Sequence, residues 1–232
     1  MTEYECEKCQ DTGVICYIGV DGIEYGKQCD CVALRRAKRM LRDSGISEAF
    51  QKISFEEFKT FDNTELVKAK ETAIKYYQGF LKTEKERYNS ILFSGQVGSG
   101  KTHLGMAIAN NLLEQKIPVV FMPYRNVVTT LKQNITNEEA YNKEMAKYLN
   151  ARVLFIDDML KGRVTDSDVN IMFEIINYRY LNHLPVIVTT EKTIAELVKF
   201  DEAIGSRIIE MSRGNIVVFA SKNLNYRLRN IN

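Results

Sequence analysis

Gly95-Gln96-Val97-Gly98-Ser99-Gly100-Lys101-Thr102 fits the pattern G-x-x-x-x-G-K-[ST]. It lies between an apolar run, Ser90 to Ser94, and a segment of helical period, Lys101 to Gln115. No other feature constrains the fold as tightly. Glycines let a backbone curl until its N–H groups converge on phosphate oxygens. The helix that follows adds the positive end of its dipole. Lys101 then reaches the β- and γ-phosphates, and Thr102 holds Mg²⁺. The pattern works only where a buried strand runs into a helix, so it demands a layered α/β domain. Gly95, Gln96, Val97, Gly98, Ser99, Gly100, Lys101 and Thr102 are the candidate nucleotide and Mg²⁺ ligands.

Around that loop, short apolar runs alternate with amphipathic segments. The spacing predicts strands at Ser90 to Ser94, Val119 to Met122, Val153 to Ile156, Val186 to Thr189 and Ile216 to Phe219. It predicts helices at Lys101 to Gln115, Arg125 to Lys132, Glu138 to Leu149, Asp166 to Leu181 and Glu202 to Met211, with another after Thr193. Thr165 with Asp168, and Thr193 with Glu196, have the spacing of capping boxes. Short apolar strands separated by helices imply a parallel sheet covered on both faces.

Binding phosphate is not hydrolysing it. The run Val153 to Ile156 ends in Asp157 and Asp158, about fifty residues past the loop. An acid at the carboxyl end of a buried strand can sit beside the phosphate site. Asp157 is expected to orient Mg²⁺ through its waters, and Asp158 to activate the attacking water. The competing reading is an ordinary turn, where Asp is common. Thr189-Thr190 offers a hydroxyl to position that water, or is simply a β-branched strand end. Arg207 is either a solvated helix residue or an arginine finger for a neighbouring subunit's γ-phosphate.

The 232 residues are 45% hydrophobic and 27% charged, which excludes a disordered chain. A formal charge of +2 means that any nucleic-acid affinity comes from local patches. No apolar run spans a bilayer, and the acidic N-terminus is no signal peptide. The chain is therefore expected to be cytoplasmic, with no membrane partner. In that compartment cysteines serve as metal ligands more than as disulfides. All five lie between Cys6 and Cys31. Cys6-x-x-Cys9 and Cys29-x-Cys31 supply two thiolate pairs, and both histidines are far downstream, so an all-cysteine Zn²⁺ site is expected. Cys16 is the spare. A redox dithiol or an iron–sulfur cluster is the competing reading. Val32 to Arg42 follows as a short basic helix carrying Arg35, Arg36, Lys38, Arg39 and Arg42. Two domains are expected: residues 1–45, the metal module with its helix, and residues 46–232, the nucleotide-binding domain. Lys161, Arg163, Arg227 and Arg229 are further basic candidates.

Six segments occur here together: Ile53-Ser54-Phe55-Glu56-Glu57-Phe58, GKTHL from Gly100, FIDD from Phe155, Asn177-Tyr178-Arg179-Tyr180, IGSRI from Ile204, and Asn225-Tyr226-Arg227. In this combination the chain resembles the bacterial and phage helicase loaders of the DnaC/DnaI type, which are AAA+ ATPases. The likeness covers about residues 50 to 232. C-x-x-C-Q-D-T-G-V-I followed by C-x-C resembles the zinc module of DnaI-like members. The resemblance implies a P-loop NTPase sheet in the order 5-1-4-3-2. It implies that Lys101, Thr102, Asp157 and Asp158 handle MgATP, with Thr190 at the sensor-1 position and Arg207 as the arginine finger. Many relatives carry Asn at the position of Thr190 and Glu at that of Asp158, so a slow ATPase, stimulated by partner or DNA, is expected. The implied partner is a hexameric replicative helicase, gripped by the zinc module and basic helix and delivered to single-stranded DNA. Lys161, Arg163 and Thr165 are the expected DNA-facing residues. Self-association through the ATP site and the finger is expected on the helicase. The chain ends soon after the fifth strand, so the helical lid is expected to be absent or vestigial, with Arg213 the nearest sensor-2 candidate.

Other functions share these motifs. An IstB-type transposition regulator would assemble on duplex DNA, and the cysteine module argues against it. A P-loop small-molecule kinase would need an arginine-rich lid that the sequence does not display. A non-hydrolysing module would use ATP only to hold one conformation.

Overall fold

The computed structural model describes residues 4–43, 53–221 and 223–228. Too polar to bury a core of its own, the N-terminal segment forms a hairpin in which β1 (Val14–Ile18) pairs antiparallel with β2 (Glu24–Gln28). Helix α1 (Cys31–Asp43) follows directly. Its exposed face carries Arg36, Lys38, Arg39 and Arg42, while Ala37 and Leu41 are buried. The buried pair joins the same apolar cluster as Phe55, Ile117 and Phe121 of the main domain. Residues 4–43 are thus docked through α1. The expected domain boundary near residue 45 lies outside the described residues, as does Arg229.

Helix α2 (Thr64–Thr83) has no counterpart among the expected elements. Its signals are nevertheless local. The Asn63 side chain accepts from the amides of Glu65 (2.9 Å) and Leu66 (3.1 Å), capping the first turn. Leu66, Ala69, Ala73, Tyr76 and Phe80 recur at helical spacing and form its buried stripe.

From there strand and helix alternate. The elements are β3 (Ile91–Gly95), α3 (Lys101–Glu114), β4 (Val119–Pro123), α4 (Tyr124–Gln133), α5 (Glu138–Leu149), β5 (Val153–Met159) and α6 (Asp166–Leu181). They continue with β6 (Val186–Thr190), α7 (Ile194–Phe200), α8 (Glu202–Met211) and β7 (Ile216–Phe219), and a 3₁₀ turn spans Tyr226–Leu228. Both expected capping boxes are present, at the starts of α6 and α7.

The five strands β3 to β7 form one parallel sheet in the order β4-β5-β6-β3-β7. Numbered from the phosphate loop onward and read from the other edge, that is 5-1-4-3-2, as the resemblance implied. Alternate strand residues face opposite layers. Phe93, Phe121, Val153, Phe155 and Ile187 pack under α1, α2 and α3. Leu92, Met122, Leu154, Ile156 and Val188 pack under α4 to α8. A strand with helices on both faces must be apolar on both, which is why its sequence shows a run and not an alternation. Among the described residues no helix is long and apolar enough to cross a membrane.

Arg179 of α6 is fully buried and ties these layers together. Its guanidinium donates to the carbonyls of Tyr148 (2.9 Å), Leu149 (3.1 Å), Ala151 (2.9 Å) and Pro185 (2.8 Å). Burial pushes its pKa down to about 9, so it still carries its charge at neutral pH. The Arg of the NYRY segment is a structural rivet.

Candidate functional site

The loop from Gly95 to Gly100 leaves the carboxyl end of β3 and enters α3. Its glycines adopt a left-handed backbone where the turn demands it. At Gly100, with φ of 94°, a Cβ would stand 2.5 Å from the Phe58 ring. Gly100 is also the N-cap of α3 and offers no side-chain acceptor, so the first amides of the helix are left for another ligand. The amide of Gln96 donates to Phe219 O (3.1 Å) and that of Tyr226 to Gly98 O (2.9 Å), which fixes the loop against β7 and the 3₁₀ turn.

Lys101 is buried at the base of this loop, its ammonium donating to Gly95 O (2.8 Å) and Gln96 O (2.6 Å). Burial pushes its pKa down, and the carboxylates of Glu191, Asp158 and Asp157 pull it back up. A buried cation facing acids beside uncapped helix amides fits a Mg²⁺-bound nucleoside triphosphate. The cleft over the loop measures about 300 Å³. Phe58, Phe61 and Tyr226 line its mouth, and Arg227 stands beside them.

Asp157 and Asp158 arrive at the cleft through an irregularity in β5. Between Ile156 and Met159 the register with β6 shifts, and Asp158 takes φ of 54°. This bulge turns two consecutive acids toward one side, which a regular strand cannot do. Burial pushes the pKa of Asp157 up to about 6; ionised Asp158 adds to the rise, while hydroxyl bonds from Thr189 and Thr102 oppose it. Thr102, in the first turn of α3, therefore stands near Asp157.

Thr189 does more than sequence reasoning gave it. Its hydroxyl donates to Asp157 Oδ1 (2.7 Å) and accepts from the Asp158 amide (2.8 Å), so one side chain orients both acids. Thr190, the expected sensor, is fully buried, and its hydroxyl donates to Met159 O across the bulge (2.8 Å). Strand alternation separates the two neighbours: one points to the acids and one into the sheet.

The other expected residues are scattered. Lys161, half-buried, lines the cleft. Arg163 is exposed. Thr165 caps α6, and its hydroxyl accepts from Lys132 (3.2 Å). Arg207, on α8, donates to Ala203 O (2.8 Å) and lies 5.4 Å from the ring centroids of both Phe173 and Tyr180, away from the cleft. Arg213, the sensor-2 candidate, lies over Tyr88, 5.0 Å from its ring centroid, and is not among the residues that line the cleft. Arg227 is the C-terminal arginine that reaches it.

The four cysteines form a second candidate site. The sulfurs of Cys6, Cys9, Cys29 and Cys31 all lie within 4.8 Å of one another. Cys6 and Cys29 are 3.7 Å apart, and Cys9 and Cys31 are 3.4 Å apart. Tetrahedral Zn–S bonds of about 2.3 Å require sulfurs about 3.8 Å apart, so the residues fit Zn²⁺. The surroundings fit as well. The Gly13 amide donates to Cys9 Sγ (3.4 Å) and Arg35 to Cys31 Sγ (3.2 Å). The Asp11 carboxylate accepts from the amides of Glu5 (3.1 Å) and Cys6 (3.0 Å), pinning the first thiolate turn. Cys16 is exposed on β1 and stands outside the group. Cys31 is at once a member of the cluster and the first residue of α1.

Comparison with known proteins adds to this geometry. The pattern describing IstB-like ATP binding proteins matches residues 30–231. The Bacillus subtilis (strain 168) protein YqaM is 43% identical over 213 residues, spanning 88% of this chain and 67% of YqaM. The phage-like element PBSX protein XkdC of the same strain is 38% identical over 239 residues, spanning 99% of this chain and 88% of XkdC. The replicative helicase loader DnaC of Escherichia coli (strain K12) is 26% identical over 181 residues, spanning 77% and 70%. A solved structure of the DnaC helicase loader superposes with a TM-score of 0.60 at 24% identity, covering 75% of this chain and all of that one, which supports the fold.

Proposed function

We infer function from one premise: the chain belongs to the IstB-like ATP-binding protein family, within the DnaC-like AAA+ ATP-binding proteins. On that premise we propose that it is an ATP-switched loader, which binds a hexameric replicative helicase and delivers it to single-stranded DNA. The observation that carries the proposal is the four-cysteine module riding on α1, docked onto a phosphate-loop domain. A nucleotide switch alone serves many tasks; a metal-stapled hairpin fixed to its flank supplies a separate gripping surface. That hairpin exposes Tyr17, Ile18, Val20 and Ile23, apolar side chains suited to a protein partner.

In the proposed cycle Lys101 and the loop amides hold the phosphates, Thr102 and Asp157 would hold Mg²⁺, which would neutralise phosphate charge, and Asp158 takes a proton from water. Water's oxygen bonds the γ-phosphorus, and the bridging P–O bond breaks toward ADP. Thr189, whose hydroxyl bonds Asp157, takes the sensing role at the end of β6 that Thr190 was expected to fill, and Arg207 is assigned to a neighbouring copy's γ-phosphate. Arg163 is the exposed cation of the loop after β5 and is assigned to the DNA backbone with Thr165. A second reading, assembly on duplex DNA in the manner of IstB-type regulators, is favoured by the family pattern itself.

The experiment mixes the full chain with its host's replicative helicase and ATP and weighs the products by native mass spectrometry. The loader reading expects an ATP-dependent complex with the hexamer that is lost in Cys9→Ser. Absence of that complex, with ATP-dependent filaments on duplex DNA, would move the assignment to the second reading. Asp158→Asn is expected to keep ATP and helicase binding while ending phosphate release.

A further inference from the structure

Lys161 has its charge committed on two sides. Its ammonium lies 2.8 Å from Asp158 Oδ2 and 2.9 Å from Glu191 Oε1. Asp158 and Glu191 come from the ends of adjacent strands, β5 and β6, and all three residues line the cleft that holds Lys101. Asp158 is also fixed through its backbone, because its amide donates to Thr189 Oγ1 within the β5 bulge.

The geometry points to Lys161 as a positioning residue for Asp158, anchored by Glu191. The inference rests on the hydrolysis reading above and adds a part to it. A carboxylate that activates water must present one oxygen at a fixed angle, and looseness of an ångström is costly. Thr189 sets the backbone of Asp158, and Lys161 sets its carboxylate by holding Oδ2. The water then meets Oδ1. Lysine alone is a poor brace, because its four-carbon stem is flexible. Glu191 removes that freedom by binding the ammonium from the other strand. Lys161 takes no proton in the step; it holds the group that does. This role also accounts for the place of Lys161 in the lining of the cleft.

The test uses the full chain with three readouts: steady-state ATPase, affinity for a fluorescent ATP analogue, and affinity for a labelled oligo-dT strand. Lys161→Met is expected to lower kcat at least tenfold while the nucleotide Kd changes less than threefold. Lys161→Arg is expected to recover part of the turnover, since it restores the charge. Glu191→Gln is expected to fall between wild type and Lys161→Met, and the double variant to be no slower than Lys161→Met alone. Unchanged or raised turnover in Lys161→Met would overturn the inference, a rise meaning that the pair is a brake. Loss of oligo-dT binding with turnover intact would overturn it too and return Lys161 to the DNA. A wild-type chain without ATPase, alone or with helicase and DNA, would overturn the hydrolysis reading itself. A wild type that turns over beside an equally fast Lys161→Met would overturn only the brace.

Discussion

Asp157 offers the sharpest quantitative test, because its burial sets stability and metal binding in opposition. Burial pushes its pKa from 3.8 up to about 6 in the fold. A group whose folded pKa is raised binds its proton more tightly when folded. Its contribution to stability is fully present below the unfolded value and is lost as pH rises through about 6. Taken to completion, a shift of about 2 units is worth about 3 kcal/mol. Between pH 7 and pH 5 the linkage relation gives about 1.3 kcal/mol, since the rest accrues only as pH falls further toward the unfolded value. For a chain of this size that is a Tm change of about 3–5 °C. Other carboxylates work in the opposite direction: ion pairs and capping bonds hold Glu84, Asp168 and Glu196 below their usual range, so the absolute Tm is not the readout. The readout is the difference between Asp157→Asn and wild type, measured by thermal melting in Mg²⁺-free buffer without nucleotide. The variant's advantage at pH 7 is expected to shrink by about 3–5 °C at pH 5. Wild-type affinity for MgATP is expected to fall over the same interval, because the metal needs the carboxylate that acid removes. A difference that stays constant across the range would refute the reasoning and make Asp157 an ordinary, solvated acid.

Three further outcomes follow from the packing. Arg179→Met leaves four carbonyls without their donor and is expected to cost about 3–5 kcal/mol, a Tm loss of roughly 6–20 °C; a variant that melts within a few degrees of wild type would show that the rivet is dispensable. Wild type is expected to carry about one Zn²⁺ per chain by colorimetric metal assay. Cys9→Ser should lose that metal and Cys16→Ser should keep it, so loss in Cys16→Ser would place the spare thiol in the site. Gly100→Ala forces a Cβ into the Phe58 ring at a left-handed position and is expected to weaken ATP binding at least tenfold; unchanged affinity in a fluorescence titration would separate the loop's shape from its function.

Much of this was legible in the residues because the signals are local. The helices Glu138–Leu149, Asp166–Leu181 and Glu202–Met211 begin and end where period and caps said they would. The phosphate loop and the cysteine quartet announce themselves through spacing. What escaped depends on contacts between distant segments. Helix α2 shows a stripe that includes two alanines and a tyrosine, and its burial comes from packing on α3 and β7. Thr189 and Thr190 cannot be ranked from a dipeptide; only the strand's orientation in the sheet aims one at the acids. Lys161 looks like a surface charge until β6 brings Glu191 beside it. Arg227 reaches the cleft because the 3₁₀ turn folds back on the phosphate loop, a closure no linear pattern encodes. The hairpin was missed because all five residues of β2 are exposed and give no apolar alternation.

Because Cys31 belongs to the cysteine cluster and opens α1, the molecule has a handle. With Zn²⁺ bound, a load applied to the hairpin would meet a joint with little slack, since metal coordination is stiff. It then runs down a rod of 13 residues, about 20 Å long. Along its length the rod packs on β4, an edge strand of the sheet. The last residue of β4, Pro123, is the register partner of Asp157 on β5. Hairpin, helix and edge strand thus form one continuous chain of contacts that stops one strand short of Asp157.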